Sequence, residues 1–351
     1  MESDPVFASG RSAVGAELDV NGLVELMSGF WVSQVLVAAR GVDLFGFLAK
    51  VGGADAAQTA AGIGVAERPA EMLLTACAAM GLLAKNGDLF VNAPVADRYL
   101  VRGQEDYFGD YIRMLSEFAF PGWLRIDKAV RTNRPTRWAA TPSTEIFDTD
   151  HRPLWFWDGL YPLSRVTAAA LAEAVDLGAT TRLLDVGGGG GAFAIELCRR
   201  FAHLSTTVFD LAHVCEHTRT RIDAAGLADR IQTFTGDFFA EDDLPGGHDA
   251  ILLSMILHDW DEPASRELLA KCFRALPSGG RIVISELLVD DDKAGPLDAA
   301  LMSVNMLIGT HGRNYTAREY QDWLTDAGFT DPRTVRFRAP GANGAVVATK
   351  P

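Results

Sequence analysis

His258 and Asp259 stand just after an apolar run, in the segment Ser254-Met255-Ile256-Leu257-His258-Asp259-Trp260. Upstream, Leu183-Leu184-Asp185-Val186 meets five consecutive glycines, Gly187 to Gly191, and then a segment that reads as helix. A strand, a glycine turn and a helix let backbone amides come close to a ligand, because glycine has no Cβ in the way. The next apolar run closes on Asp210, 23 positions after Gly187. A carboxylate there is placed to accept hydrogen bonds from ribose hydroxyls. These features point to a nucleotide-type cofactor. The spacing Gly187-x-Gly189-x-x-Ala192 suits a dinucleotide, and NAD and S-adenosylmethionine (SAM) both carry the ribose that Asp210 would hold. Ligands of open α/β sheets bind beyond the carboxyl ends of the strands, so His258 belongs on the same rim as the glycine turn.

The elements that must position these residues are legible in outline. From residue 182 onward short apolar runs alternate with helical segments, the pattern of a parallel sheet covered on both faces. Strands are expected over 182–186, 206–210, 231–235, 250–254 and 281–286, with a closing hairpin of 333–338 and 345–349. Residues 15–130 read as mostly helical. A helix over 23–39, carrying Phe30, Trp31, Val32, Val35, Leu36 and Val37, is apolar on nearly every side and needs partners all round, a second subunit among them. A helix over 66–83 followed by Asn86-Gly87-Asp88 and Leu89-Phe90-Val91 has the form of a winged helix. Residues 132–153, with three prolines, three arginines and five threonines, read as a connector. The expected organisation is α/β: a helical dimerisation and winged-helix domain over 1–105, a linker and substrate-pocket segment over 106–165, and a Rossmann-like, doubly wound cofactor domain over 166–351.

Composition narrows the function classes. The chain has 351 residues, 48% of them hydrophobic and 22% charged, which is ordinary for a globular protein. A net charge of −14 argues against a nucleic-acid partner, and the first 100 residues hold six basic side chains against eleven acidic ones, so the winged helix reads as scaffold. No apolar stretch reads as membrane-spanning and no signal peptide precedes the fold, so a cytoplasmic protein is expected. Cys77, Cys198, Cys215 and Cys272 are scattered without a CxxC pair and read as buried thiols. His213 and His217 lie four apart on a helix, but Cys215 points to another face and no third ligand is spaced to help, so no metal is expected.

Taken together, the glycine turn at 183–191, the acid at Asp210, the segment Gly236-Asp237-Phe238-Phe239 and the trio His258-Asp259-Trp260 make the sequence resemble SAM-dependent small-molecule O-methyltransferases. These are the plant phenylpropanoid type and its bacterial natural-product relatives, and the resemblance runs from about residue 23 to the C-terminus. It implies that His258, beside Asp259, is a general base. Glu286 matches the first of two family glutamates that flank this histidine. The second is replaced by Asn314, which leads to the expectation of a base of lower pKa or of a reaction that leans more on proximity. The resemblance puts Gly187 and Gly189 near the methionine part of the cofactor and Asp210 on the ribose, and counts Asp185 and Leu211 among the cofactor-binding residues. Asp237 and Phe238 are implied around the adenine, Ser254 stands where plant members carry lysine, and Ser164 matches a serine at the amino-acid end. Trp157, Leu160, Met255, Met302, Asn305 and Met306 fall on segments that flank the acceptor in relatives. The implied reaction is metal-independent methylation of a phenolic hydroxyl on an aromatic, polycyclic polyketide-like compound by a homodimer, releasing S-adenosylhomocysteine (SAH). A phenol has a pKa of about 10 and needs a base near neutrality; histidine, near 6.5, suits that task. The alternatives are N- or carboxyl-methylation, a relative that no longer transfers methyl, and an NAD-dependent oxidoreductase.

Overall fold

A computed structural model describes residues 18–137 and 154–351. Most of the expected connector, from 138 to 153, lies outside the described residues. The chain divides into two compact units between Ser116 and Glu117, so the expected 106–165 segment is shared between them.

The first unit is helical. Leu44, Phe45, Leu48, Leu74, Cys77 and Leu83 form its core, with Phe90 from the wing. The winged-helix expectation holds. The helix Glu67–Ala79 leads into an antiparallel hairpin of β1 (Leu83–Asn86) and β2 (Leu89–Asn92), turned at Gly87 with φ +62°. Left-handed backbone at a two-residue hairpin loop is the conformation glycine adopts most readily.

The apolar N-terminal segment departs from expectation in one respect. It forms two helices, Val20–Ser28 and Phe30–Gly41. Together they run 22 residues and contain an 18-residue window of mean hydropathy 1.5, which passes a length-and-composition test for a membrane span, whereas the sequence reading finds no such stretch. Val20, Val24, Met27 and Trp31 recur at helical spacing and are exposed, Trp31 at 62%. An apolar face of this kind marks an interaction surface.

The second unit carries a seven-stranded sheet. Its strands are β3 (Arg182–Val186), β4 (Ser205–Asp210), β5 (Ile231–Thr235), β6 (Ala250–Ser254), β7 (Arg281–Glu286), β8 (Thr330–Arg336) and β9 (Gly344–Thr349), in the order β5-β4-β3-β6-β7-β9-β8. The first five are mutually parallel, and β8 and β9 form the antiparallel closing pair. Neighbouring residues of each central strand feed opposite cores. Leu184, Ile251 and Ile284 face one side with Leu268, Tyr320 and Leu324. Leu183, Leu252 and Val283 face the other with Leu171, Ile195 and Leu197. Burial on both faces is why these strands are continuous apolar runs. The chain leaves β3 toward one edge and returns through β6 toward the other. The crevice between the carboxyl ends of β3 and β6 is therefore the topological switch point where such sheets bind ligands. All four cysteines are buried as free thiols.

Candidate active site

The glycine turn leaves β3 in left-handed backbone, with φ of +67° at Gly187, +55° at Gly189 and +76° at Gly191. Space makes the same demand. A Cβ on Gly187 would lie 2.5 Å from Ile256 Cδ1, and one on Gly188 would lie 2.6 Å from Asp185 Oδ2. The turn is fixed from below by hydrogen bonds. Asp210 accepts from the Gly189 amide at 2.8 Å and from its neighbour Leu211 at 2.7 Å, while Thr218 donates to the Gly189 carbonyl at 2.6 Å. Asp185 is fully buried beneath Gly188, where it shapes the turn instead of lining the rim. Burial, with Asp210 adding like charge, pushes its carboxyl up to about 7.

Next along the rim, Asp237 accepts the Phe239 amide at 2.8 Å. Phe238 rings with Phe239 and Trp260, and lies within van der Waals reach of a Cβ built on Gly187. Lys271, buried in the helix Glu262–Ala275, donates to the carbonyls of Phe238 and Glu241 at 2.8 Å each and so ties this loop to the sheet. Ser254 ends β6 with a buried hydroxyl that has no hydrogen-bond partner among the described residues. A turn that excludes a Cβ at Gly187, Gly188 and Gly191, a carboxylate at the second strand end, an apolar ring and that hydroxyl together fit a nucleoside cofactor such as SAM.

Beyond β6 the backbone turns sharply. Met255 adopts φ +54°, an uncommon conformation for a non-glycine residue, and donates its amide to Ser285 at 3.0 Å. The short turn Leu257–Asp259 follows and presents His258, which is 3% exposed. His258 Nδ1 lies 2.7 Å from Glu286 Oε2, so with a carboxylate as acceptor Nδ1 carries the hydrogen. The other ring nitrogen, Nε2, is left for chemistry, with Asp259 Oδ1 3.9 Å away. Burial opposes the charged imidazolium, but the Glu286 carboxylate, its hydrogen bond and Asp259 outweigh it and push the ring up to about 9.

The ring is thus held above the ordinary histidine value of 6.5, and Asn314 has no part in holding it. Its Nδ2 donates to the Leu287 carbonyl at 2.7 Å and its amide to Ser303 at 3.2 Å, with no hydrogen bond to His258 among the described residues. Asn314 holds the chain that leaves β7, and Glu286 alone orients the ring. His311 is exposed.

The expected acceptor residues come from two helices. On Leu154–Ala174, Trp157, Leu160, Tyr161 and Ser164 share a face by spacing, and Trp157 and Tyr161 lie against Gly189 and Gly190. On Leu297–Gly309, Asn305 accepts from Trp123 Nε1 at 3.1 Å and from Arg137 Nη2 at 2.9 Å, and its Nδ2 lies 3.7 Å from Met302 Sδ. Met306 is buried in that helix's packing. Met255 Sδ abuts Gly341. The sequence reading missed Lys271, Thr218 and Arg137, whose partners lie 33, 29 and 168 residues away, a separation that no spacing motif of their own records. His217 is not half of a metal pair: its Nε2 is 3.1 Å from Asp158, which also binds Arg221, and Arg221 covers the Tyr161 ring at 3.9 Å.

Comparison with known proteins adds an independent line. Residues 123–330 match the family described as O-methyltransferase domain, and residues 24–102 match the O-methyltransferase dimerisation domain. The chain is 56% identical over 328 residues to the 3-hydroxy-5-methyl-1-naphthoate 3-O-methyltransferase of Streptomyces sahachiroi, covering 93% of this chain and 94% of that one. It is 31% identical to the tetracenomycin polyketide synthesis 8-O-methyl transferase of Streptomyces glaucescens, over 91% of this chain and 94% of that one. Among solved structures it is similar to human N-acetylserotonin methyltransferase in complex with SAM. The TM-score is 0.85 at 30% identity, covering 96% of this chain and 99% of that one.

Proposed function

The chain belongs to the SAM-dependent O-methyltransferase family, and from that premise we propose that it methylates a ring hydroxyl of a fused-ring aromatic hydroxy acid of the naphthoate type, with His258 as general base. The observation that carries the mechanism is the 2.7 Å contact between His258 Nδ1 and Glu286, on the same rim as the glycine turn. Gly187 and Gly189 would hold the methionine part of the cofactor, Asp210 and Leu211 the ribose, and Asp237 and Phe238 the adenine, with Ser254 and Ser164 as further polar contacts. When bound, SAM supplies a methyl group on a cationic sulfur, which leaves as a neutral thioether.

The chain's own residues do the rest. The neutral fraction of His258, a minority below about pH 9, takes the hydroxyl proton at Nε2 as the oxygen attacks. Glu286 stabilises the imidazolium that forms and keeps Nε2 aimed outward. A base pushed up to about 9 is closely matched to a phenol of about 10, so proton transfer is nearly balanced. Trp157, Leu160, Met255, Met302, Asn305 and Met306 hold the ring system, and fixing the oxygen in line supplies several kcal/mol, on the order of what effective molarities give. The apolar helices at 20–41 and the dimerisation-domain match support a homodimer through that face. Four buried free thiols fit a reducing cytoplasm.

The test is transfer of label from methyl-labelled SAM into a panel of phenols, naphthols and hydroxynaphthoates. We expect label in the fused-ring acids, and a loss of at least about a hundredfold in His258→Ala with SAH still bound. Near-normal turnover by the variant would remove His258 from the role of base.

A further inference from the structure

Arg137 differs from Arg221, Arg266 and Arg274, which each meet a carboxylate. Arg137 is half-buried and meets no carboxylate within ion-pair distance among the described residues. Its one side-chain hydrogen bond runs from Nη2 to Asn305 Oδ1, an oxygen already shared with Trp123. Its Nε is buried without a hydrogen-bond partner among the described residues. Burial pulls the group down to about 10, and the carboxylate acting on it at longer range is Asp259, beside the general base. A sequestered charge left in this state is costly unless an anion pairs with it.

The surroundings hold the guanidinium in place. The backbone amides of Thr136 and Arg137 both donate to the Ile308 carbonyl, at 3.0 and 3.1 Å. A Cβ on Gly309 would fall 2.5 Å from Arg137 Nη1, so only glycine lets the group lie against that helix end. On its other side the group covers the Phe118 ring at 4.6 Å. From Phe118 a run of rings leads inward: Phe118 to Phe156 at 4.9 Å, Phe156 to Trp157 at 5.2 Å, and Trp157 against Gly189 of the cofactor turn. An aromatic wall therefore joins the turn that would hold the methyl donor to a fixed, anion-seeking fork.

We propose that Arg137 is the anion-binding subsite of the acceptor pocket, taking the carboxylate of an aromatic hydroxy acid whose rings lie along Phe118, Phe156 and Trp157. The inference rests on the reading of the chain as a methyltransferase for such acids. Guanidinium and carboxylate match in a two-pronged geometry that an ammonium or an amide cannot reproduce. Asn305 steadies the fork and Trp123 steadies Asn305. The subsite selects the acid over neutral ring systems of the same shape.

The experiment compares 3-hydroxy-1-naphthoic acid with its methyl ester, by calorimetric binding to the SAH-loaded protein and by methyl transfer, in wild type, Arg137→Lys and Arg137→Met. We expect the wild type to bind the acid at least about tenfold tighter than the ester, as one charged hydrogen-bonded pair allows. The preference should collapse in Arg137→Met and partly return in Arg137→Lys. The proposal is overturned if the wild type does not prefer the acid. It is also overturned if Arg137→Met weakens acid and ester equally, which would assign Arg137 to helix packing alone. If the acid binds through Arg137 but no methyl is transferred to it, the subsite stands and the reading of the acid as substrate falls.

Discussion

Glu286 serves two neighbours at once: Oε2 faces His258 Nδ1 at 2.7 Å, and Oε1 accepts the Ile256 amide at 3.1 Å. One side chain therefore orients the His258 ring and pins the strained turn that carries it. The sign of its electrostatic effect is testable. His258 is raised in the folded protein, so its contribution to stability is complete below the ordinary histidine value of 6.5 and is lost as pH climbs toward about 9. In Glu286→Gln the burial that opposes the imidazolium is no longer outweighed. The inflection of kcat/KM against pH should then move acidward by at least about one unit. An unchanged inflection would mean that another group sets the profile. Asn314 shows the limit of reading a site by substitution of type: the residue is present at the expected place, but its amide is spent on the Leu287 carbonyl.

Elements built on unbroken apolar runs were legible almost to the residue, because strands buried on both faces tolerate few polar positions. Five expected strands match β3 to β7, with β4 starting one residue earlier, at Ser205. The closing hairpin was harder. β8 begins at Thr330, three residues before the expected start, across a left-handed Asp331 and a register shift that make Thr330-Asp331-Pro332 look like loop. Helix Glu262–Ala275 carries a role invisible in its pattern, since Lys271 reaches back some thirty residues to the 236–241 loop. Lys271→Met would leave two part-buried carbonyls without this donor, at a cost of about 1 kcal/mol each. SAH should bind about tenfold more weakly, on the order of one such contact, by calorimetry. Unaltered binding would show that the loop is held by its other contacts.

At the scale of the whole molecule, the exposed face of Val20, Val24, Met27 and Trp31 asks for a second copy. Burying one such aromatic is worth roughly 1.5–3 kcal/mol, so Trp31→Glu should shift the protein from dimer toward monomer in sedimentation, with its helical content retained. A dimer of undiminished stability would put the interface elsewhere. The sequence by itself determined the doubly wound sheet, the winged helix, the cofactor turn and the histidine on its rim. Each is a local matter of burial periodicity, backbone freedom or strand-end position, and such signals are written in neighbouring residues. Tertiary structure alone decided that Glu286 and not Asn314 bonds the His258 ring, that Asp185 lies beneath the turn, and that Arg137 meets Asn305 across 168 positions of chain with no carboxylate within ion-pair distance among the described residues. Pairing and burial of charge depend on which distant segments the fold brings together, and no spacing along the chain records that.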